Sequence, residues 1–277
     1  MSGAGARIAA VEAILFDVTG TLIEVRGGVG ELYAAAARAH GIDLDANAAR
    51  RSFETALAAA PPLAFAAGPG PTREAAERGW WRDVVARVVA GARRPAAADP
   101  PDQVLDDLLA DLWRRFASAG AWRVRDGAAG VLRSLRRRGY RLAVLSNFDS
   151  RLPPLLAELE LADAFEAVFT SSDLGAAKPD AEAFRRALAH LDVPAAAAAH
   201  VGDSPEADAR GAAAAGLLPV LLRVRLPSGV DGLSVDRLGD LLDLFGASRT
   251  SARDPRATVP DPPPPAGSQM EPSPTGS

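Results

Sequence analysis

Four short segments carry side chains suited to chemistry on an anion: DVTGTL at 17–22, LSN at 145–147, KPD at 178–180 and GDSPEAD at 202–208. Asp17, Ser146, Lys178, Asp203 and Asp208 supply carboxylates, a hydroxyl and an ammonium. Gathered around one crevice, such a set suits phosphoryl transfer. A carboxylate can attack phosphorus and form an acyl phosphate. The phosphate dianion repels that carboxylate, so charge must be neutralised. Magnesium held by Asp17 and Asp203 would bridge nucleophile and phosphate. Lys178 would add positive charge, while Ser146 and backbone N–H groups around Gly20 would donate to the equatorial oxygens.

Each residue also has an ordinary reading. An Asp after an apolar run often just opens a turn, which would account for Asp17. Ser146 could satisfy local backbone groups, and Lys178 could be a surface residue. Asp203 could cap a helix that starts at Ser204, and Asp208 in that first turn could favour the helix dipole. These readings are independent of one another, so the informative fact is their joint placement in this order.

Composition narrows the alternatives. A chain of 277 residues has room for an average domain plus a smaller one. The net charge of −4 and pI of about 5.5 give no basic face for nucleic acid. No apolar run reaches the ~18–20 residues that span a bilayer, and the run before Asp17 is too short for a secretory signal. A cytoplasmic protein is expected. The absence of Cys excludes disulfides, thiolate nucleophiles and Cys-ligated metals. His40, His190 and His200 are widely spaced and form no ligand pattern, so a metal would have oxygen ligands, which points to Mg2+. Of the 31 Lys and Arg residues, only Lys178 is Lys. A coding bias toward Arg and Ala explains the ratio; a compact point charge at a phosphate explains the exception.

The elements that must position these residues alternate. Val11–Phe16 reads as a buried strand ending at Asp17. From Gly30 to about Trp122 the pattern is helical, with breaks at Pro61–Pro71 and Pro95–Pro101. After Asp126, helices and apolar strands alternate: RLAVLSN, EAVFTS, AAAHVGD and LPVLLRV are strands, and Gly139 stops the helix before the first of them. Ser204 caps a helix with Pro205 in its first turn. Strands apolar end to end predict an α/β fold, a Rossmann-like parallel sheet with helices on both faces. Residues 9–24 and 123–246 form this core, and 25–122 an all-helical insert. Residues 247–277, rich in Pro, Ser, Thr and Gly, read as a disordered tail. In an open parallel sheet, ligands bind beyond the carboxyl ends of the strands, where Asp17, Ser146–Asn147, Lys178 and Asp203 stand.

Taken together, DVTGT, LSN, KPD and GDSPEAD resemble the four motifs of the haloacid dehalogenase superfamily in order and spacing, and the helical insert resembles the cap of its first subclass. The resemblance runs from Val11 to about Phe245. The longer segments VGELYAAAARAHG, GWWRDVV and LAVLSNFDSRL resemble one narrower group within that subclass. Membership implies Asp17 as nucleophile and Mg2+ bound by Asp17, the Thr19 carbonyl and Asp203, with Asp208 in support. It implies Thr19, Gly20, Ser146, Asn147 and Lys178 around a small phosphorylated substrate, and a cap that selects it.

One departure matters. Phosphatases of this superfamily usually read DxD, the second Asp being the general acid and base; here that position is Thr19. Thr cannot protonate a leaving group at neutral pH, and general acid–base catalysis is worth ~10²–10⁴-fold. Alkyl phosphates should turn over slowly, or water and the cap must supply the proton, whereas aryl or acyl phosphates should suffer less. P-type ATPases, relatives in the superfamily, also carry Thr there. Three rivals follow. Haloacid dehalogenases usually have an aromatic residue at that position and need no metal, unlike the acidic GDSPEAD pattern. Phosphonoacetaldehyde hydrolase needs a cap Lys, and residues 25–122 contain none. A catalytically weak or inactive binding protein is favoured by Thr19 and opposed by Asp17, Ser146, Lys178 and Asp203 together. Trp80 and Trp81 fit a hydrophobic core of the insert better than a substrate entrance, and Arg73, Arg78 and Arg82 fit a solvated helix face. Nothing in the sequence fixes the oligomeric state.

Overall fold

The computed structural model describes residues 3–65, 71–94 and 98–246, so the expected disordered tail at 247–277 lies outside the described residues. A helix α1 (Gly3–Ala10), not expected from the sequence, precedes strand β1 (Ala13–Phe16). A three-residue strand β2 (Ile23–Val25) leads into the helical insert: α2 (Val29–Ala39), α3 (Ala46–Ala59), α4 (Pro71–Ala92) and α5 (Asp102–Ala117). The chain returns through β3 (Trp122–Val124). Then follow α6 (Ala128–Arg137), β4 (Arg141–Ser146), α7 (Leu152–Glu158), β5 (Ala167–Thr170), α8 (Ser171–Leu174) and α9 (Ala181–Leu191). The last elements are β6 (Ala198–Gly202), α10 (Gly211–Ala214), β7 (Leu218–Leu222), β8 (Leu233–Val235) and α11 (Leu241–Leu244).

Six strands form one parallel sheet in the order β5-β4-β1-β6-β7-β8. The expected α/β class is what the chain adopts. Alternate residues of each strand serve opposite faces. Ile14, Phe16, Leu142 and Val144 join the core under α6, α7 and α11, while Ala13, Leu15, Ala143 and Leu145 join the core under α9. Burial on both faces is why these strands read as continuous apolar runs. From β1 the chain goes to β4 and β5 on one side, then returns to β6 on the other. The carboxyl end of β1 is therefore a topological switch point, where a crevice opens.

The insert has its own core, with Tyr33, Val84, Val88, Leu108 and Leu112 buried between its helices. It is joined to the sheet layer through the antiparallel β2–β3 pair, in register Ile23↔Val124 and Val25↔Trp122. Trp122 anchors this joint: it is buried, its indole N–H donates to the Phe116 carbonyl at 2.9 Å, and its ring lies between those of Phe116 and Phe148. No helix among the described residues is long and apolar enough to cross a membrane.

Candidate active site

Asp17 follows the four fully buried residues of β1 and is itself 8% exposed. Register places the ends of β4 and β6 on either side of it. Ser146, the last residue of β4, donates to Asp17 Oδ1 at 3.1 Å. Lys178 Nζ reaches the same oxygen at 2.7 Å and Asp208 Oδ1 at 2.6 Å. Asp203 stands just past β6, and one carboxylate oxygen from each of Asp203, Asp17 and Asp208 lies within 4.8 Å of the others. The five side chains singled out in the sequence thus meet in one crevice of about 260 Å³, which Thr19 and Asn147 also line.

Local folding explains how they are aimed. Gly20 has φ +87°, a conformation that glycine adopts without strain. A Cβ there would lie 2.4 Å from Asp203 Oδ2, so only glycine lets this loop and Asp203 approach. Gly202 serves Asp208 in the same way, since its Cβ would lie 2.1 Å from the Asp208 carboxyl carbon. Ser204 caps the next segment as expected, accepting from Ala207 N at 3.1 Å. That segment opens as a π-helical turn, Pro205–Arg210, with the Ala209 N–H on the Ser204 carbonyl. Asp208 in this turn meets Lys178 Nζ.

Three expected contacts take a different form. The Gly20 N–H donates to the Ile23 carbonyl at 2.8 Å, so it does not face an anion; the role of Gly20 is steric. Among the described residues, the N–H groups of Val18 and Thr19 are the ones in this loop without an acceptor. Asn147 lines the crevice, but its amide is tied to Lys178: Nδ2 donates to the Lys178 carbonyl and Oδ1 accepts from its N–H, both at 2.8 Å. It positions Lys178. Asp208 is also heavily engaged, accepting from Lys178 Nζ, facing His200 Nε2 at 2.9 Å and accepting from Ser204 N at 2.9 Å.

Sequence reasoning missed His200, Thr21 and Arg223. His200 is a polar residue inside an otherwise apolar buried strand, and that was the available signal, because such a group needs a partner. Thr21 Oγ1 donates to Asp203 Oδ1 at 3.1 Å. Arg223 donates to the Gly20 carbonyl, with a guanidinium nitrogen 3.8 Å from Asp203.

The electrostatics follow from burial. Desolvation pushes the Asp17 carboxyl up; Lys178 opposes this, and Asp208 and Asp203 add to it. Burial likewise raises Asp203, with the Asp208 charge adding to it. Burial works against charge on Lys178 and on Asp208 too, but there mutual attraction wins. Asp17 and Asp208 hold the ammonium above its ordinary range, and Lys178 with His200 holds Asp208 below the usual carboxylate range. Three carboxylates around one ammonium leave an excess of negative charge. The donors are all oxygens, and glycine makes room for Asp203. Such a site fits a hard divalent cation such as magnesium.

Beside the crevice, and sharing Thr19, Asn147 and Lys178 with it, lies a cavity of about 810 Å³ between insert and sheet layer. Trp80 and Trp81 pack edge to face at 4.9 Å, half-buried against the insert core, and both also line this cavity. The expected place against the insert core holds, and the cavity is an addition to it: a long, half-buried indole can serve a core with one edge and a cavity with the other. Trp81 Nε1 donates to Asp149 Oδ2 at 2.6 Å, linking insert to sheet layer. Arg73 also departs from expectation, since it pairs with Asp173 across the two layers. Arg78 and Arg82 pair within the insert, with Glu74 and with Asp102 and Asp106.

A family model for haloacid dehalogenase-like hydrolases matches residues 11–216. The chain belongs to this family of hydrolases. The mouse haloacid dehalogenase-like hydrolase domain-containing protein 3 is 39% identical over 74% of this chain and 78% of its own length, and it represents the narrower group that the longer segments resemble. The plasmid-encoded phosphoglycolate phosphatase of Cupriavidus necator is 37% identical over 53% of this chain and 65% of its own. The fold is shared with CbbY from Rhodobacter sphaeroides, solved in complex with phosphate: TM-score 0.59, 22% identity, 85% of this chain and 99% of that one.

Proposed function

We propose that this hydrolase is a magnesium-dependent phosphatase that acts on small phosphate esters or anhydrides through an aspartyl-phosphate at Asp17. The observation that carries this reading is the convergence of Ser146 and Lys178 on one oxygen of Asp17, with Asp203 and Asp208 in reach. The relative from Cupriavidus, named a phosphoglycolate phosphatase, supports the phosphate ester class.

In this reading Asp17, the Thr19 carbonyl and Asp203 hold the cation, and Asp208 chiefly anchors Lys178. Magnesium, when bound, supplies the charge that lets a carboxylate and a phosphate dianion approach. The protein's own groups do the rest. Asp17 attacks phosphorus and the P–O bond to the leaving group breaks. Lys178, Ser146 and the N–H groups of Val18 and Thr19 stabilise the equatorial oxygens. Water then attacks the acyl phosphate, releasing phosphate and restoring Asp17. The helical insert acts as a cap, covering the crevice and choosing the substrate.

Phosphate release from an aryl phosphate, measured with and without magnesium, tests this. Asp17→Asn should abolish the magnesium-dependent rate. Unchanged activity in that variant would refute the nucleophile assignment. Thr19 favours a second reading, in which the site binds a phosphorylated ligand with little or no turnover. Robust magnesium-dependent release by the parent protein would exclude it.

A further inference from the structure

The cavity beside the crevice says what body the phosphate should carry. Its wall is mostly apolar and includes Phe53, Leu57, Trp80, Trp81, Phe116 and Phe148. Leu57 is 37% exposed, one of two exposed large apolar side chains among the described residues. At about 810 Å³ the cavity is in the range that encloses a multi-ring ligand, far above what a two- or three-carbon acid fills.

The charged side chains on this wall already have partners. Arg151 is buried and held by Asp149 through Nε at 2.8 Å and Nη2 at 2.5 Å. Lys178 is held by Asp17 and Asp208. Glu24 pairs with Arg125 at 2.6 Å, and Glu54 with Arg50 at 2.7 Å. Among the described lining residues, none offers an unpaired cation to a second anionic group on the substrate. Thr19, on the boundary between crevice and cavity, adds a separate requirement: the leaving oxygen must depart without a proton from that position.

We infer that the substrate is an aryl phosphate monoester with an apolar, multi-ring body and no second anion, an inference that rests on the phosphatase reading for its chemistry. Asp17 attacks phosphorus, the bond from phosphorus to the phenolic oxygen breaks, and the electron pair leaves on that oxygen. The phenolate takes its proton from solvent, and water later cleaves the acyl phosphate. The net reaction consumes one water and yields a phenol and inorganic phosphate. The rings lie against the indoles and Phe53 while the phosphoryl group enters the crevice.

The test compares phenyl, 2-naphthyl and 4-carboxyphenyl phosphates in the full chain with magnesium, and binding of benzylphosphonate and 2-naphthylmethylphosphonate by calorimetry. The second ring should raise kcat/KM about tenfold, and tighten phosphonate binding about tenfold, through added apolar burial. The carboxylate should lower kcat/KM below that of phenyl phosphate despite its better leaving group. Leu57→Asp, at an exposed position, should remove the naphthyl preference. Turnover without any size preference, or with the carboxylate preferred, overturns the inference and leaves the phosphatase reading intact. Tighter naphthyl phosphonate binding without any turnover supports the cavity assignment and defeats the phosphatase reading. Neither turnover nor binding overturns both.

Discussion

In the crevice, charge is held by charge. Lys178 bridges Asp17 and Asp208, Thr21 holds Asp203, and Ser204 N and His200 flank Asp208. In the neighbouring cavity the wall is aromatic, and the charged groups that reach it have their partners already. The crevice hangs from the ends of strands in a sheet buried on both faces, whereas Phe53, Leu57, Trp80, Trp81 and Phe116 of the cavity wall come from the helices between β2 and β3. On the proposed phosphatase reading, the difference teaches that reaction and selection are built on different parts of the chain. A change in one should therefore be legible separately from a change in the other.

The largest expected break is in the crevice. Lys178→Met leaves two buried carboxylates without their cation. Loss of one such stabilising group should lower kcat by about 10²–10³-fold, and on every phosphate alike, since the group serves the phosphoryl oxygens and not the leaving group. Steady-state kinetics across alkyl, aryl and acyl phosphates check this. A loss confined to one substrate class would show that Lys178 belongs to selection, and the comparison would fail.

Thr19→Asp sharpens the comparison, because residue 19 lines both spaces. A carboxyl able to protonate the leaving group should raise turnover of alkyl phosphates by about 10²-fold. Aryl phosphates should gain little. The ratio of the two rates in variant and parent is the measurement, and an equal change in both would remove the missing-acid explanation.

A smaller effect is expected at the joint. Glu77 of α4 is fully buried and accepts from Ser150 N at 3.1 Å and from the hydroxyls of Ser150 and Ser172. These bonds, with Trp81 on Asp149, fasten the insert to the sheet layer. Glu77→Ala leaves one N–H and two hydroxyls without their acceptor, a cost of about 2 kcal/mol. Thermal unfolding should show a lowered Tm, and Glu77→Gln should recover part of it. An unchanged Tm in Glu77→Ala would mean that packing alone holds the joint.

Much of this arrangement was legible in the sequence, for a physical reason. Asp17, Ser146 and Asp203 each close an apolar run long enough to read as a buried strand, so strand ends and chemistry were marked together. The strands β2, β3 and β8 have three residues each, too few for alternation to register, so the boundaries at 24/25 and 122/123 were legible but the strand pair that forms the joint was not. The cavity wall was illegible for another reason. Phe53, Trp80 and Phe116 come from three helices, and no local spacing distinguishes an aromatic facing a cavity from one facing a core.

The smallest effect concerns His200, which belongs to the crevice but took no part in its sequence pattern. Its Nε2 faces Asp208 at 2.9 Å, its ring meets Phe184 edge to face at 5.1 Å, and its buried Nδ1 has no partner among the described residues. Burial lowers its pKa; the Asp208 bond pulls upward, and Lys178 lowers it further. The folded chain thus binds this proton less readily than the unfolded chain, where an ordinary imidazole titrates near ~6.5. Between the two values the unfolded state carries more protons, so stability rises with pH there and falls as pH drops below about 6.5. Denaturant unfolding from pH 7 to 5.5 should show a loss of stability attributable to this group. Asp17, whose carboxyl is raised, works in the opposite sense, but it is present in both parent and His200→Gln. The difference between their two stability curves therefore isolates the imidazole. A flatter curve in the variant fits a neutral His200 supporting Asp208. Parallel curves would mean that His200 takes up its proton inside the fold, and the crevice would then hold two cations instead of one.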